Sequence, residues 1–136
     1  MFEQVRNILV ANYNKKIAEY DAIKKDLDIL EDVIMKDSTE EKYKDALKEL
    51  KAKKLKKNSD EYKRELDKIN SDYNKGLLAF EKTYNKYSEL RKKIGMIDVY
   101  GYNRKITRVE NAGSLEELKI DEERAAKILS GELEDF

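Results

Sequence analysis

The sequence predicts a mainly α protein: a long antiparallel helical hairpin, coiled-coil-like with unequal arms, then a small β-hairpin and a short C-terminal helix. The chain of 136 residues contains no proline, and apolar residues recur at steps of three and four over most of residues 2–95. Residues 96–136 differ, because glycines and two short strand-like runs interrupt that period. We therefore expect two parts, a helical hairpin of residues 1–95 and an appendage of residues 96–136.

The composition suits a narrow seam better than a round core. Charged residues make up 43% of the chain and hydrophobic residues 40%. A two-helix seam needs apolar residues at only about two or three positions in seven. The 29 basic and 29 acidic residues cancel, although the middle of the chain is mildly basic and its tail acidic. A nucleic-acid-binding protein usually has a stronger overall basic bias.

The chain lacks the side chains on which most enzymes depend. It contains no cysteine and no histidine, which removes disulfides, thiolate nucleophiles, the commonest general base and the commonest metal ligand. No catalytic motif stands out, so we expect no enzyme, no cofactor and no metal site. The sequence shows no signal peptide or apolar membrane span, which predicts a cytoplasmic protein. Lysine outnumbers arginine 23 to 6, a bias typical of AT-rich genomes that suggests a bacterial or phage source.

The first arm of the predicted hairpin covers residues 2–36. Its apolar residues share one face, and from Tyr20 to Ile34 they form a heptad-like seam. Ser38 and Glu41 then match a capping box, the pattern that starts a new helix. We therefore predict that the chain reverses at residues 37–38.

The second arm is predicted to run as one helix over residues 39–93 and to close at Gly95. A hairpin register centred on residues 37–38 sets apolar residues opposite one another, for example Tyr13 near Tyr62. The alternative is a break at residues 57–61, where Asn58 and Glu61 would cap a third helix. We favour the continuous helix because no glycine or proline enforces a stop there.

Because the arms are unequal, residues 74–94 lack a partner in the first arm. Their apolar surface would not be left exposed, so either the tail or a second chain must cover it. Gly76 costs about 1 kcal/mol relative to alanine inside a helix, which predicts a close approach by another helix there. We expect a homodimer, with an interface formed by Gly76, Leu77, Phe80, Tyr84, Tyr87 and Leu90.

The appendage is predicted to begin after a Schellman-type helix end at Gly95. Residues 96–100 and 105–109 resemble two strands joined by a turn that contains Gly101. A short amphipathic helix then follows from Asp121 to Leu129, ended by Gly131. Residues 132–136 are expected to fray.

Two surfaces are candidates for binding a partner. Tyr100 and Tyr102 flank the predicted turn, with Arg104 beside them, and could form a recognition tip, although packing of the turn explains them equally well. The second surface is a cluster of five lysines. On a continuous helix these lysines would point in nearly all directions, so a solvated helix segment is the simpler interpretation. The cluster consists of Lys51, Lys53, Lys54, Lys56 and Lys57.

The sequence therefore favours a non-enzymatic protein–protein interaction module: an adaptor, scaffold or inhibitor that acts through its coiled-coil surface and its appendage. The partner protein is not identified. The alternative is a nucleic-acid-associated regulator that uses the lysine cluster and the 96–109 hairpin, with Arg104, Lys105 and Arg108 on the latter.

Overall fold

The computed structural model describes residues 1–136, which form five helices and no strand. The mainly α class is confirmed, since 78% of the chain is helical. The helices are α1 (Phe2–Met35), α2 (Thr39–Ala52), α3 (Asp60–Gly95), α4 (Val99–Asn111) and α5 (Glu122–Ser130).

The chain divides into two compact units. Unit 1 contains Met1–Lys25 and Lys92–Phe136, and unit 2 contains Asp26–Arg91. Helices α1 and α3 each contribute residues to both units. The division therefore follows neither the end of a helix nor the boundary between residues 95 and 96.

The predicted β-hairpin is wrong, because its residues form helix α4. Val99, Tyr102, Ile106 and Val109 recur at steps of three and four, which gathers them on one helical face. The side chain of Asp98 caps this helix by accepting a hydrogen bond from the Gly101 amide at 2.9 Å. Runs of about five residues are too short to distinguish a strand from a helix by the period of their apolar positions.

The predicted continuous second helix is also wrong. Helix α2 ends at Ala52 and α3 begins at Asp60. The contacts of Lys53 with Glu65 and of Tyr43 with Tyr73 show that the chain reverses through residues 53–59 rather than at residues 37–38. The Ser59 hydroxyl accepts a hydrogen bond from the Tyr62 amide at 3.3 Å and caps α3. The alternative break at residues 57–61 was thus the better interpretation. Helix α3 ends at Gly95 as predicted, but without the positive φ of a Schellman glycine.

Unit 2 is built on an antiparallel pair formed by α2 and the first half of α3. The rings of Tyr43 and Tyr73 meet edge to face with centroids 4.1 Å apart. The close approach expected at Gly76 is confirmed, since a Cβ added there would lie 2.6 Å from Cγ2 of Thr39. Helix α2 starts at Thr39 as expected, but the Ser38 side chain makes no capping hydrogen bond.

Unit 1 contains the main hydrophobic core. Helix α1 supplies Val5, Leu9 and Tyr13, all of which are almost completely buried. The ring centroid of Tyr13 lies 5.8 Å from that of Tyr102 on α4. The hairpin register had instead placed Tyr13 near Tyr62. Helix α5 matches its prediction and ends at Gly131, which has a φ of 86°. The remaining buried core residues are Val109, Leu118, Ile120, Ala125 and Ile128.

The order of the elements contains a repeat that the sequence analysis did not detect. A long helix, a three-residue connection and a short helix occur twice, as α1–α2 and as α3–α4. Residues 13–15 and 73–75 are both Tyr-Asn-Lys, and Ile34 and Ile94 stand at the same offset of 60. Tyr13 and Tyr73 also resemble each other in packing, since each lies against a tyrosine of the short helix in its own unit, although Tyr43 and Tyr102 differ by 59 positions rather than 60.

Candidate functional site

A row of apolar and aromatic side chains lies along α3 in unit 2. We call Leu77, Phe80, Tyr84 and Tyr87 the α3 stripe. Leu77 is 42% exposed and Tyr84 is 50% exposed, while the other two members are half-buried. The rings of Phe80 and Tyr84 stack with centroids 6.2 Å apart, and Tyr87 follows 6.5 Å from Tyr84. The α3 stripe holds four of the six residues predicted to form an oligomer interface, and that role remains a prediction.

The other two predicted interface residues, Gly76 and Leu90, do not extend this surface. Gly76 lies against Thr39, and Leu90 is half-buried. The last turns of α1 also lie along α3, where Val33 and Ile34 line a shallow groove with Phe80. Part of the region predicted to lack a partner therefore has a neighbour within unit 2.

The outer side of α4 presents polar and basic side chains. Tyr100 is 73% exposed, and the guanidinium carbon of Arg104 lies 5.7 Å from the centre of its ring. Tyr102 is on the opposite side of the helix, against Tyr13. Of the three predicted partner-binding residues, Tyr100 and Arg104 thus share a surface, whereas Tyr102 belongs to the core of unit 1.

The lysine cluster lies where the chain reverses between α2 and α3. Lys51 is in the last turn of α2, and the other four lysines are in the connection of residues 53–59. Lys53 forms an ion pair with Glu65 at 2.7 Å. The prediction that these lysines lie on a continuous helix is therefore wrong, because four of the five occupy a turn. A binding role for the cluster remains a prediction.

The last residues of the chain are packed against unit 1 rather than frayed. The Tyr13 hydroxyl donates a hydrogen bond to Oδ1 of Asp135 at 2.5 Å, and the Lys105 ammonium pairs with the second oxygen of that carboxylate. The amide side chain of Asn12 donates to the backbone carbonyl of Glu134 at 3.2 Å. Sequence reasoning missed this contact because it joins residues more than 120 positions apart.

These contacts shift the ionisation of both Tyr13 and Asp135. Burial raises the pKa of Tyr13 far above its usual value, and the hydrogen bond to Asp135 raises it further. Burial alone would also raise the pKa of Asp135. The hydrogen bonds from Lys105 and Tyr13 outweigh that effect and hold the pKa of Asp135 below its usual range. The folded state therefore favours a neutral phenol beside an ionised carboxylate.

The stability of unit 1 should consequently fall in strong base and in strong acid. The contribution of Tyr13 is complete below the ordinary tyrosine pKa of 10.0 and is lost as the pH rises above it. The contribution of Asp135 is present above the ordinary value of 3.8 and is lost as the pH falls through its lower folded value. Urea unfolding followed by circular dichroism across this pH range measures both effects.

Tyr13→Phe tests the origin of the alkaline effect. This variant should show a smaller loss of unfolding free energy above about pH 10, because the buried phenol no longer ionises on unfolding. Tyr100→Phe is the matched control, because it removes a hydroxyl group from an exposed ring. This variant should show the same alkaline decline as the unmodified chain. The same alkaline decline in Tyr13→Phe as in the unmodified chain would contradict this account.

No group of carboxylates in the structure is arranged to hold a metal ion. None of the five helices combines the length and the apolarity needed to cross a lipid bilayer. Comparison with protein-family models, with curated proteins and with solved structures finds no match to this chain.

Proposed function

We propose that this chain is a non-enzymatic protein–protein interaction module that binds a second copy of itself through the α3 stripe. The observation that carries the proposal is the exposure of Leu77 and Tyr84 beside two further aromatic rings. In a chain with 43% charged residues, large apolar side chains left in solvent on one continuous row indicate a contact surface.

The chemistry of the α3 stripe resembles that of interface centres. Tyrosine, phenylalanine and arginine are enriched in protein interfaces, and charged residues other than arginine are depleted at their centres. Arg91 continues the row, with its guanidinium carbon 5.7 Å from the centre of the Tyr87 ring. These side chains supply apolar area together with hydroxyl groups that can bond at the rim.

A second copy is the partner that this surface suits. Two-fold dimers bring the same patch of each subunit together, so the patch must be compatible with itself. None of the four members of the α3 stripe carries a charge, and two copies can approach along it without opposing like charges. Packing of stripe against stripe would remove Leu77 and Tyr84 from water in both chains.

Light scattering behind gel filtration tests the proposal directly. The chain mass is 16.0 kDa, and we expect twice that mass for the unmodified protein. The double variant Leu77→Glu/Tyr84→Glu should elute with the mass of a single chain, because it places two carboxylates from each copy in the contact.

Leu78→Glu is the matched control for this experiment. Leu78 is 59% exposed and adjacent to Leu77 in sequence, but it projects about 100° further around the helix, away from the α3 stripe. It should leave the dimer intact. A single-chain mass for the unmodified protein overturns the proposal, as does dissociation caused equally by Leu78→Glu.

A further inference from the structure

The exposed side of α4 is a polar and basic surface. Every third or fourth residue there is polar and exposed, and we call this set the α4 face. It contains an aromatic ring, an amide, a hydroxyl group and two guanidinium groups. The members are Tyr100, Asn103, Arg104, Thr107 and Arg108.

The α4 face carries a net positive charge. Helix α4 contains three basic side chains and one acidic side chain, Glu110, in its last turn. Neither Arg104 nor Arg108 takes part in any of the five ion pairs of the structure. The third base, Lys105, lies on the inner side of the helix, where Asp135 binds it. Asp135 is therefore engaged on that inner side. Arg104 lies over the Tyr100 ring and Arg108 over the Phe136 ring, and no ion pair neutralises either guanidinium group.

Comparison with α2 shows that this charge is specific to α4. At the offset of 60, Arg104 and Arg108 correspond to Lys44 and Lys48, so both short helices carry a basic pair one turn apart. In α2 that pair is surrounded by Glu40, Glu41, Asp45 and Glu49. The corresponding positions in α4 are Tyr100, Gly101, Lys105 and Val109, none of which is acidic.

We propose that the α4 face binds double-stranded DNA, with α4 lying in the major groove. The groove is wide enough to admit one α-helix, and α4 exposes the whole row from Tyr100 to Arg108 on a single side. Arginine, asparagine and threonine are side chains that bond to base edges in the major groove. Arginine, tyrosine and threonine also bond to phosphates and set the position of the helix on the duplex. The positive charge of the face complements the phosphate backbone.

This binding is independent of the self-association proposed above, because it uses a different helix. Fluorescence anisotropy with a fluorescein-labelled duplex of mixed sequence, about 20 base pairs long, measures it. With about two phosphate contacts, one from each arginine, affinity should fall roughly 10-fold when KCl rises from about 50 to about 200 mM. The double variant Arg104→Glu/Arg108→Glu should bind at least about 10-fold more weakly at the lower salt concentration.

Lys44→Glu/Lys48→Glu is the matched control, since it makes the same change of charge at the same spacing on α2. It should retain most of the affinity. Circular dichroism on both variants verifies that each remains folded. Three results overturn the proposal: no binding by the unmodified protein at low salt, an equal loss of affinity in both double variants, or tighter binding of a single-stranded oligonucleotide than of the duplex.

Discussion

Replacing Ile128 with alanine should destabilise unit 1 by about 2–5 kcal/mol, the usual cost of truncating a large aliphatic side chain in a packed core. Ile128 is completely buried and packs in the cluster that joins α5 to α1 and α4. Its truncation leaves a cavity that the surrounding side chains cannot fill without moving. Urea unfolding measured by circular dichroism reports the change as a lower transition midpoint.

Leu129 supplies the internal control for this experiment. It is the next residue on the same helix and loses the same three carbon atoms on conversion to alanine, but it is 36% exposed. Leu129→Ala should therefore cost much less, about 1 kcal/mol or below. An equal loss of unfolding free energy in the two variants would show that burial of Ile128 does not stabilise the packing of α5.

Substituting valine for Gly76 should destabilise unit 2 by about 1–3 kcal/mol through overpacking. A Cβ at this position would meet Cγ2 of Thr39 at 2.6 Å and Oγ1 at 3.0 Å, before the two methyl groups of valine are added. Thr39 cannot easily turn away, because its hydroxyl donates to the Asp37 carboxylate at 2.8 Å. Helices α2 and α3 must therefore separate locally. Thermal unfolding should show a lower Tm.

Two further variants isolate the contact with Thr39. Gly95 has no atom within 4 Å of its would-be Cβ, so Gly95→Val should change the unfolding free energy by no more than about 0.5 kcal/mol. Thr39→Ala removes the two nearest atoms and should recover part of the stability that Gly76→Val loses. An unchanged penalty in the Thr39→Ala background would place the strain elsewhere.

Local chemistry made some of the fold predictable. The apolar period predicted α1 and α5, the capping box of Ser38 and Glu41 placed the start of α2, and Gly131 marked the end of α5. The reversal was misplaced because a capping box signals only where a helix begins, not whether the chain turns back. A search for repeats would have helped, because aligning Tyr13 with Tyr73 places two equivalent halves on either side of residues 53–59.

The sequence identified individual residues of the candidate sites, but it did not show which residues share a surface. Tyr100 and Arg104 were identified from sequence, yet as a hairpin tip, and so their relation to Asn103, Thr107 and Arg108 was lost. The signal was present in Asp98, a strong capping residue placed just before a helical apolar period. The contact between Tyr13 and Asp135 had no local signal, because only tertiary packing brings such distant residues together.

The repeat has a consequence for how the chain holds together. Unit 2 pairs α2 from the first half with α3 from the second, and unit 1 packs α1 from the first half against α4 from the second. Each core therefore draws residues from both halves. Residues 53–59 are the tether that gives each half a high effective concentration of the other. We expect the two fragments of a chain cut within that tether to associate as a heterodimer.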